Sequence, residues 1–154
     1  VTITGATPYL WFDRNAEDAA NFYVSIFPNS RVESISHYLD DAQLPKGTVL
    51  VVEFTLFGRP FAALNGGSHF THSEAVSFQV LCDTQDEIDH LWDSLIANGG
   101  EESMCGWCKD RFGVSWQIVP RMLNPLLQHS DDAVRSRAWN AMVGMRKLII
   151  ADFG

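Results

Sequence analysis

Apolar residues change their spacing in a set order along the chain, and that order occurs twice. Thr7–Phe12 (TPYLWF) reads as a strand. From Asn15 the period turns helical: Ala19, Phe22, Tyr23 and Ile26 fall on one stripe. Asn15 stands at the N-cap position, Glu17 and Asp18 put negative charge into the first turn, and Phe27-Pro28-Asn29 ends the run because proline cannot continue a helix. Strands are expected next at Arg31–Leu39, Thr48–Leu56 and Arg59–Asn65, the first two separated by the polar loop DDAQLPKG and the last two joined by a tight Phe57-Gly58 turn. This stretch is therefore β-α-β-β-β.

The order then restarts. Ala75–Cys82 is a strand, and Thr84 with Glu87 forms a capping box for a helix whose stripe is Ile88, Leu91, Trp92 and Leu95. Asn98-Gly99-Gly100 stops that helix, and shorter strands follow at about Glu101–Ser103, Cys105–Lys109 and Val114–Val119. The remaining residues read as helical: Ser130 can cap a helix carrying Val134, Ala138, Met142 and Met145, with Trp139 beside them. So apolar a helix has to cover something, either the sheet or a partner subunit. The expectation is an α+β protein: a single domain over 1–120 made of two βαβββ modules (about 7–66 and 75–120), then a helical extension over 121–154.

Composition narrows the class. Hydrophobic residues make up 46% of the chain and aromatics 12%, enough for a buried core. A net charge of −8 argues against nucleic acid or an anionic membrane as partner. No apolar run approaches the ~20 residues of a membrane span, and the first residues, VTITGATPYL, lack the basic and apolar regions of a secretory signal. Three cysteines, an odd and small number, suit a reducing compartment. The expectation is a cytoplasmic protein.

Cys105-Gly106-Trp107-Cys108 invites a redox or metal reading, which needs both sulfurs on one side. No helical pattern follows it, and Lys109–Gly113 reads as a hairpin turn. On an extended strand, Cys105 and Cys108 point to opposite faces, and Cys105 shares a face with Trp107. His69 and His72, with Glu74 close by, lie in a loop after Asn-Gly-Gly, where an H-x-x-H spacing does not place both rings together; His37, His90 and His129 stand apart. No Gly-rich strand–turn–helix loop suited to a nucleotide is present.

The repeat and its wording (PYLWFDRNAEDAANFY, FGRPFAALNGG, AVSFQV and above all CGWCKDRFGVSWQIVP) resemble the vicinal oxygen chelate superfamily of glyoxalases, bleomycin-resistance proteins and extradiol dioxygenases. The similarity is nearest to its PhnB-like branch, labelled 3-demethylubiquinone-9 3-methyltransferase-like, and runs from about Thr7 to Pro120, with a familiar MVGMRKLIIA in the tail. The resemblance implies that each module curls into a half-barrel around a cleft with its helix on the convex side. Leu10 and Phe12 then face the helix while Thr7, Tyr9 and Trp11 face the cleft; Val76, Phe78, Val80, Trp116 and Ile118 pack inward while Ala75, Ser77, Gln79, Ser115 and Gln117 look at the cleft. Glu53 and Asn65 are further cleft candidates, and either the cleft or the packed side can claim Cys105 and Trp107.

Metal-dependent members of the superfamily take His or Glu ligands from four strands. The matching positions here are Thr7 (or Pro8 or Tyr9), Asn65, Ala75 and Gln117, none an imidazole or carboxylate, so the superfamily's metal site reads as lost and no cofactor is expected. The expected function is metal-independent binding of a small organic ligand in a cleft lined by Tyr9, Trp11, Glu53, Asn65, Ser77, Gln79, Cys105, Trp107, Ser115 and Gln117, with no catalytic residue assigned. The alternatives are a lyase, isomerase or dioxygenase holding a metal through Glu53, His69 or His72, and an interaction module working through the tail. The methyltransferase label finds no support in the residues. Homodimerisation is implied by the resemblance and would give the apolar tail a burial site.

Overall fold

The β-α-β-β-β order is found twice in the computed structural model, which describes residues 2–154. Two compact units result, one ending at Thr71 and the other running from His72 to Gly154. In the first, β1 (Tyr9–Phe12), α1 (Ala16–Ile26), β2 (Arg31–His37), β3 (Val49–Leu56) and β4 (Arg59–Asn65) form a sheet of order β1-β4-β3-β2 beside one helix. In the second, β5 (Ser77–Cys82), α2 (Gln85–Ile96), β6 (Glu101–Glu102), β7 (Trp107–Lys109) and β8 (Ser115–Pro120) give the order β5-β8-β7-β6. The β1–β4 and β5–β8 pairs are parallel and the other pairs antiparallel. The extension belongs to the second unit and holds α3 (Leu123–Leu127), α4 (Asp132–Val143) and a closing 3-10 turn, Ile150–Phe153.

In the first unit Leu10, Phe12, Val52, Phe54, Leu56 and Ala63 are buried, as are Ala16, Ala19, Ala20 and Tyr23 of α1. The small alanines let the helix sit close to the sheet, and Phe22 and Ile26 of the expected stripe are half-buried at its margin. The N-terminus of α1 is capped differently from the expectation. Asn15 makes no side-chain cap, because its backbone (φ −112°, ψ 26°) is outside the extended region an N-cap normally occupies. Asn65, at the end of β4, supplies the acceptor: its Oδ1 accepts from the Ala16 N–H at 2.9 Å. The rest of Asn65 is committed too, Nδ2 donating to the Val49 carbonyl at 3.0 Å and the main-chain carbonyl accepting from Tyr38 Oη at 2.7 Å. Register settles its face. Asn65 alternates with Ala63 and Phe61 and pairs with Phe12, so it lies on the helix side of the sheet and not on the open face.

In the second unit the α2 stripe is as expected, with Ile88, Leu91, Trp92 and Leu95 buried and both halves of the Thr84–Glu87 capping box formed. Asp110 holds the β7–β8 turn: Oδ1 accepts from the Phe112 and Val114 N–H groups, and Oδ2 from Trp116 Nε1 at 2.9 Å. Two strands start later than expected. β5 begins at Ser77, because Glu74 and Ala75 are in a turn; Val76, expected to pack, is 65% exposed. β7 begins at Trp107, because Cys105 and Gly106 have positive φ (61° and 83°) and form a turn closed by a 3.0 Å bond from the Trp107 N–H to the Met104 carbonyl. The cap of α4 is Asp131, one residue beyond the expected Ser130, with its carboxylate accepting from the Ala133 N–H at 2.8 Å. Met145 lies past the end of that helix.

The extension packs on its own unit. Val119, Leu123, Ala138 and Leu148 form a buried cluster flanked by Leu126, Leu127, Met142, Met145 and Phe153. The Cys105 and Gly106 N–H groups donate to the Met145 and Arg146 carbonyls, both at 2.8 Å, and the Gln85 amide spans the Leu148 carbonyl and the Ile150 N–H. Lys147 pairs with Asp89 at 2.9 Å.

The three cysteines are free thiols. Strand parity does not apply to Cys105, which sits in the turn, half-buried, while Cys108 is buried on the helix side of the sheet. Burial first, then Asp110 and Glu102, pushes the Cys108 thiol up to about 12, and burial with Glu87 and Asp83 pushes Cys82 up to about 11.

Two outcomes follow from this packing. Asn65→Ala leaves the Ala16 N–H buried without its acceptor, so urea denaturation should show a loss of about 1–3 kcal/mol, whereas Asn15→Ala, which removes no cap bond, should change stability by less than about 0.5 kcal/mol. Because the thiolate is the reactive form, the Cys82 and Cys108 thiols stay protonated at pH 8. A disulfide reagent added to native protein should therefore titrate one thiol, Cys105, and three in denaturant; rapid reaction of all three in native protein contradicts this packing.

Candidate functional site

The open face of the first unit follows from register. Tyr9, Ala62, Glu53 and Ser34 form one row across the sheet, and Trp11, Leu64, Val51 and Ser36 the next. Tyr9 is exposed, and Glu53 accepts from Ser34 Oγ at 2.8 Å. Trp11 is more constrained. Its Nε1–H donates to the Gly67 carbonyl at 2.9 Å, and its ring meets Phe70 edge-on with centroids 5.0 Å apart. A Cβ on Gly66 would lie 2.2 Å from that ring, so glycine is required there by close approach. Trp11 thus holds the turn after β4 in place while keeping one side on the open face.

On the open face of the second unit, Gln79, Gln117 and Trp107 form one row, and Ser77, Ser115, Lys109 and Glu101 the neighbouring one. A ladder of side-chain hydrogen bonds runs over it. Gln117 Nε2 donates to Ser77 Oγ at 2.8 Å, Gln79 Nε2 to Gln117 Oε1 at 3.2 Å, and Asn124 Nδ2, from α3, to Gln79 Oε1 at 3.0 Å. Above the ladder lies a cavity of about 330 Å³. Gln79, Trp107, Gln117 and Val119 line it from the sheet and Cys105 from the turn before β7, while Leu123, Asn124, Leu127, Trp139 and Met142 line it from the extension.

Ser115 is buried and lines a second cavity of about 100 Å³ with Glu74, Glu101 and Lys109. There Glu74 and Lys109 are paired, and their hydrogen bond lowers the carboxyl and raises the amine. Of the residues expected at a cleft, the structure therefore brings four together around the larger cavity, with Ser77 bonded to one of them. It puts Ser115 in the neighbouring cavity, Tyr9, Trp11 and Glu53 on the open face of the first unit, and Asn65 off that face. The lining from the extension was not expected, although the apolar spacing of Trp139 and Met142 carried the signal.

The positions that the resemblance gives to metal ligands include Asn65, Ala75 and Gln117. The Asn65 amide bonds to Ala16 of α1 and to Val49 of β3, and the Gln117 amide bonds to Gln79 and Ser77 within the ladder. Ala75 offers no donor atom in its side chain. Among the described residues, no three His, Cys, Asp or Glu side chains come together in a way that could hold an ion.

Comparison with known proteins gives a consistent picture. The family model described as 3-demethylubiquinone-9 3-methyltransferase matches residues 4–119. A structure described as a putative 3-demethylubiquinone-9 3-methyltransferase, PhnB protein, from Bacillus cereus is 35% identical, with a TM-score of 0.69 over 76% of this chain and 99% of that one. Protein PA1353 from Pseudomonas aeruginosa is similar at 19% identity and TM-score 0.64, covering 77% of this chain and 98% of its own. The fosfomycin resistance protein FosX from Mesorhizobium loti shares the fold at 12% identity and TM-score 0.58, over 84% of this chain and all of that one (100%). No curated protein sequence matches. The matched span and the Bacillus cereus identity carry the assignment: the chain belongs to the 3-demethylubiquinone-9 3-methyltransferase family.

Proposed function

We propose that the protein binds a small, neutral, partly aromatic organic molecule in the cavity of the second unit, without a metal ion. The observation that carries this reading is the hydrogen-bonded ladder Ser77–Gln117–Gln79–Asn124 along a cavity otherwise walled by Trp107, Trp139 and aliphatic side chains. Each amide nitrogen has a second N–H and each amide oxygen a second lone pair, so a ligand can be met without dismantling the ladder. The cavity's size falls at the lower end of small-molecule sites, about 300–1,000 Å³. No lining residue is an acid or a base other than the Cys105 thiol, which favours a neutral ligand. In this reading the two modules work as one domain with 121–154 appended.

The family's description names a methyl transfer, which we do not extend to this chain, because no Gly-rich strand–turn–helix loop is present for a nucleoside cofactor. The homodimer and cytoplasmic setting expected from the sequence remain part of the proposal. Exposed Val143 on α4 offers apolar surface to a second copy.

Isothermal titration and tryptophan fluorescence with a panel of neutral aromatic amides, ketones and quinones should find saturable binding. Gln117→Leu, which removes both ladder bonds, should weaken it by about 5- to 100-fold. Elemental analysis of freshly purified protein should find no stoichiometric metal; one equivalent of Zn, Ni, Mn or Fe overturns the metal-free form. Sedimentation across a concentration series should show a dimer, and a monomer throughout removes the dimer from the proposal.

A further inference from the structure

The family match ends at residue 119, and nearly the whole Bacillus cereus relative (99%) is accounted for by 76% of this chain. The helical extension lies beyond the residues that the family model matches, and it supplies Asn124, Leu127, Trp139 and Met142 to the cavity. It is held there by the bonds from Cys105 and Gly106 to Met145 and Arg146, and by Leu148, fully buried (0% exposed) against the Gly106 turn. A Cβ on Gly106 would come within 2.8 Å of the Leu148 side chain, so a glycine in its positive-φ conformation is what lets the segment seat. Asn124 completes the ladder, whereas Trp139 lines the cavity while remaining 56% exposed, so packing does not consume its ring.

We propose that this extension sets the ligand selectivity of the protein, with Asn124 and Trp139 as the specificity-determining residues. Asn124, bonded to Gln79, meets the ligand's carbonyl or amide end, and Trp139 meets its aromatic body. This rests on the binding reading above and assigns selectivity to a part of the chain that the family match does not include.

The test titrates neutral aromatic carboxamides and alkylbenzenes of matched size into wild-type protein and into Asn124→Leu, Trp139→Ala and Gln117→Leu, with urea midpoints measured alongside. Asn124→Leu should lose at least about 5-fold in preference for carboxamides over alkylbenzenes, and Trp139→Ala should weaken both by a similar factor with its midpoint unchanged. Trp139→Phe should recover most of the affinity, which a merely structural role would not require. Asn124→Ser, smaller and still polar, should keep part of the preference and covers the case in which Asn124→Leu lowers the midpoint. If wild-type protein takes no member of the panel, the binding reading fails and this inference with it. If Gln117→Leu weakens binding while both extension variants bind and discriminate as wild type does, the binding reading stands and the role of the extension is overturned.

Discussion

Two backbone N–H groups govern the second unit. Positive φ at Cys105 and Gly106 puts them in a turn ahead of β7, outside its strand pairing, and a buried donor without an acceptor costs about 1–3 kcal/mol. The Met145 and Arg146 carbonyls satisfy both. That single requirement brings the end of the chain back over its own module, buries Leu148, and sets α3 and α4 where Asn124 and Trp139 line the cavity. The segment that looks most like a redox motif in sequence is thus a docking point for the tail. Its buried Cys108 is held in the unreactive protonated form on the far side of the sheet.

The first unit satisfies its buried backbone differently, although its element order is the same. The second helix is capped locally by Thr84, whereas the first takes its acceptor from Asn65, far along the sequence. One amide then joins β4, α1 and the start of β3, so the helix cannot move without breaking the contacts of the strand edge. The same commitment removes Asn65 from any role towards a ligand.

Local signals were legible in the sequence and long-range ones less so. The periods of two and 3.6 located both helices and the strands to within a few residues, since each rests on neighbours in the chain. Alternation put Tyr9, Trp11, Glu53, Ser77, Gln79 and Gln117 on open faces, and register agrees. Asn65 was misplaced because its position at a strand end was weighed above its alternation with Ala63 and Phe61, which points to the helix side. Val76 was misplaced because its alternation with Phe78 and Val80 does not reveal where pairing begins, and Cys105 because a positive φ at a non-glycine residue leaves no trace in composition. The apolar spacing of the extension said that something was covered, but not what, because the answer depends on the turn at Gly106, which is distant in sequence.

Gln117 joins the fold to the chemistry. Metal-binding relatives, by the resemblance in sequence, carry a carboxylate at this position. A carboxylate on a partly desolvated floor needs a cation or a proton to offset its lost hydration. A glutamine has the same length and reach but brings a donor as well as an acceptor, so Gln117 gives to Ser77 and takes from Gln79 with no charge to balance. Gln79 passes the same pattern on to Asn124. The floor therefore presents uncharged groups that both give and accept hydrogen bonds. Because the ladder reaches Asn124, the polar floor is joined to the extension, and floor and apolar roof are tied by one continuous set of contacts within the second unit.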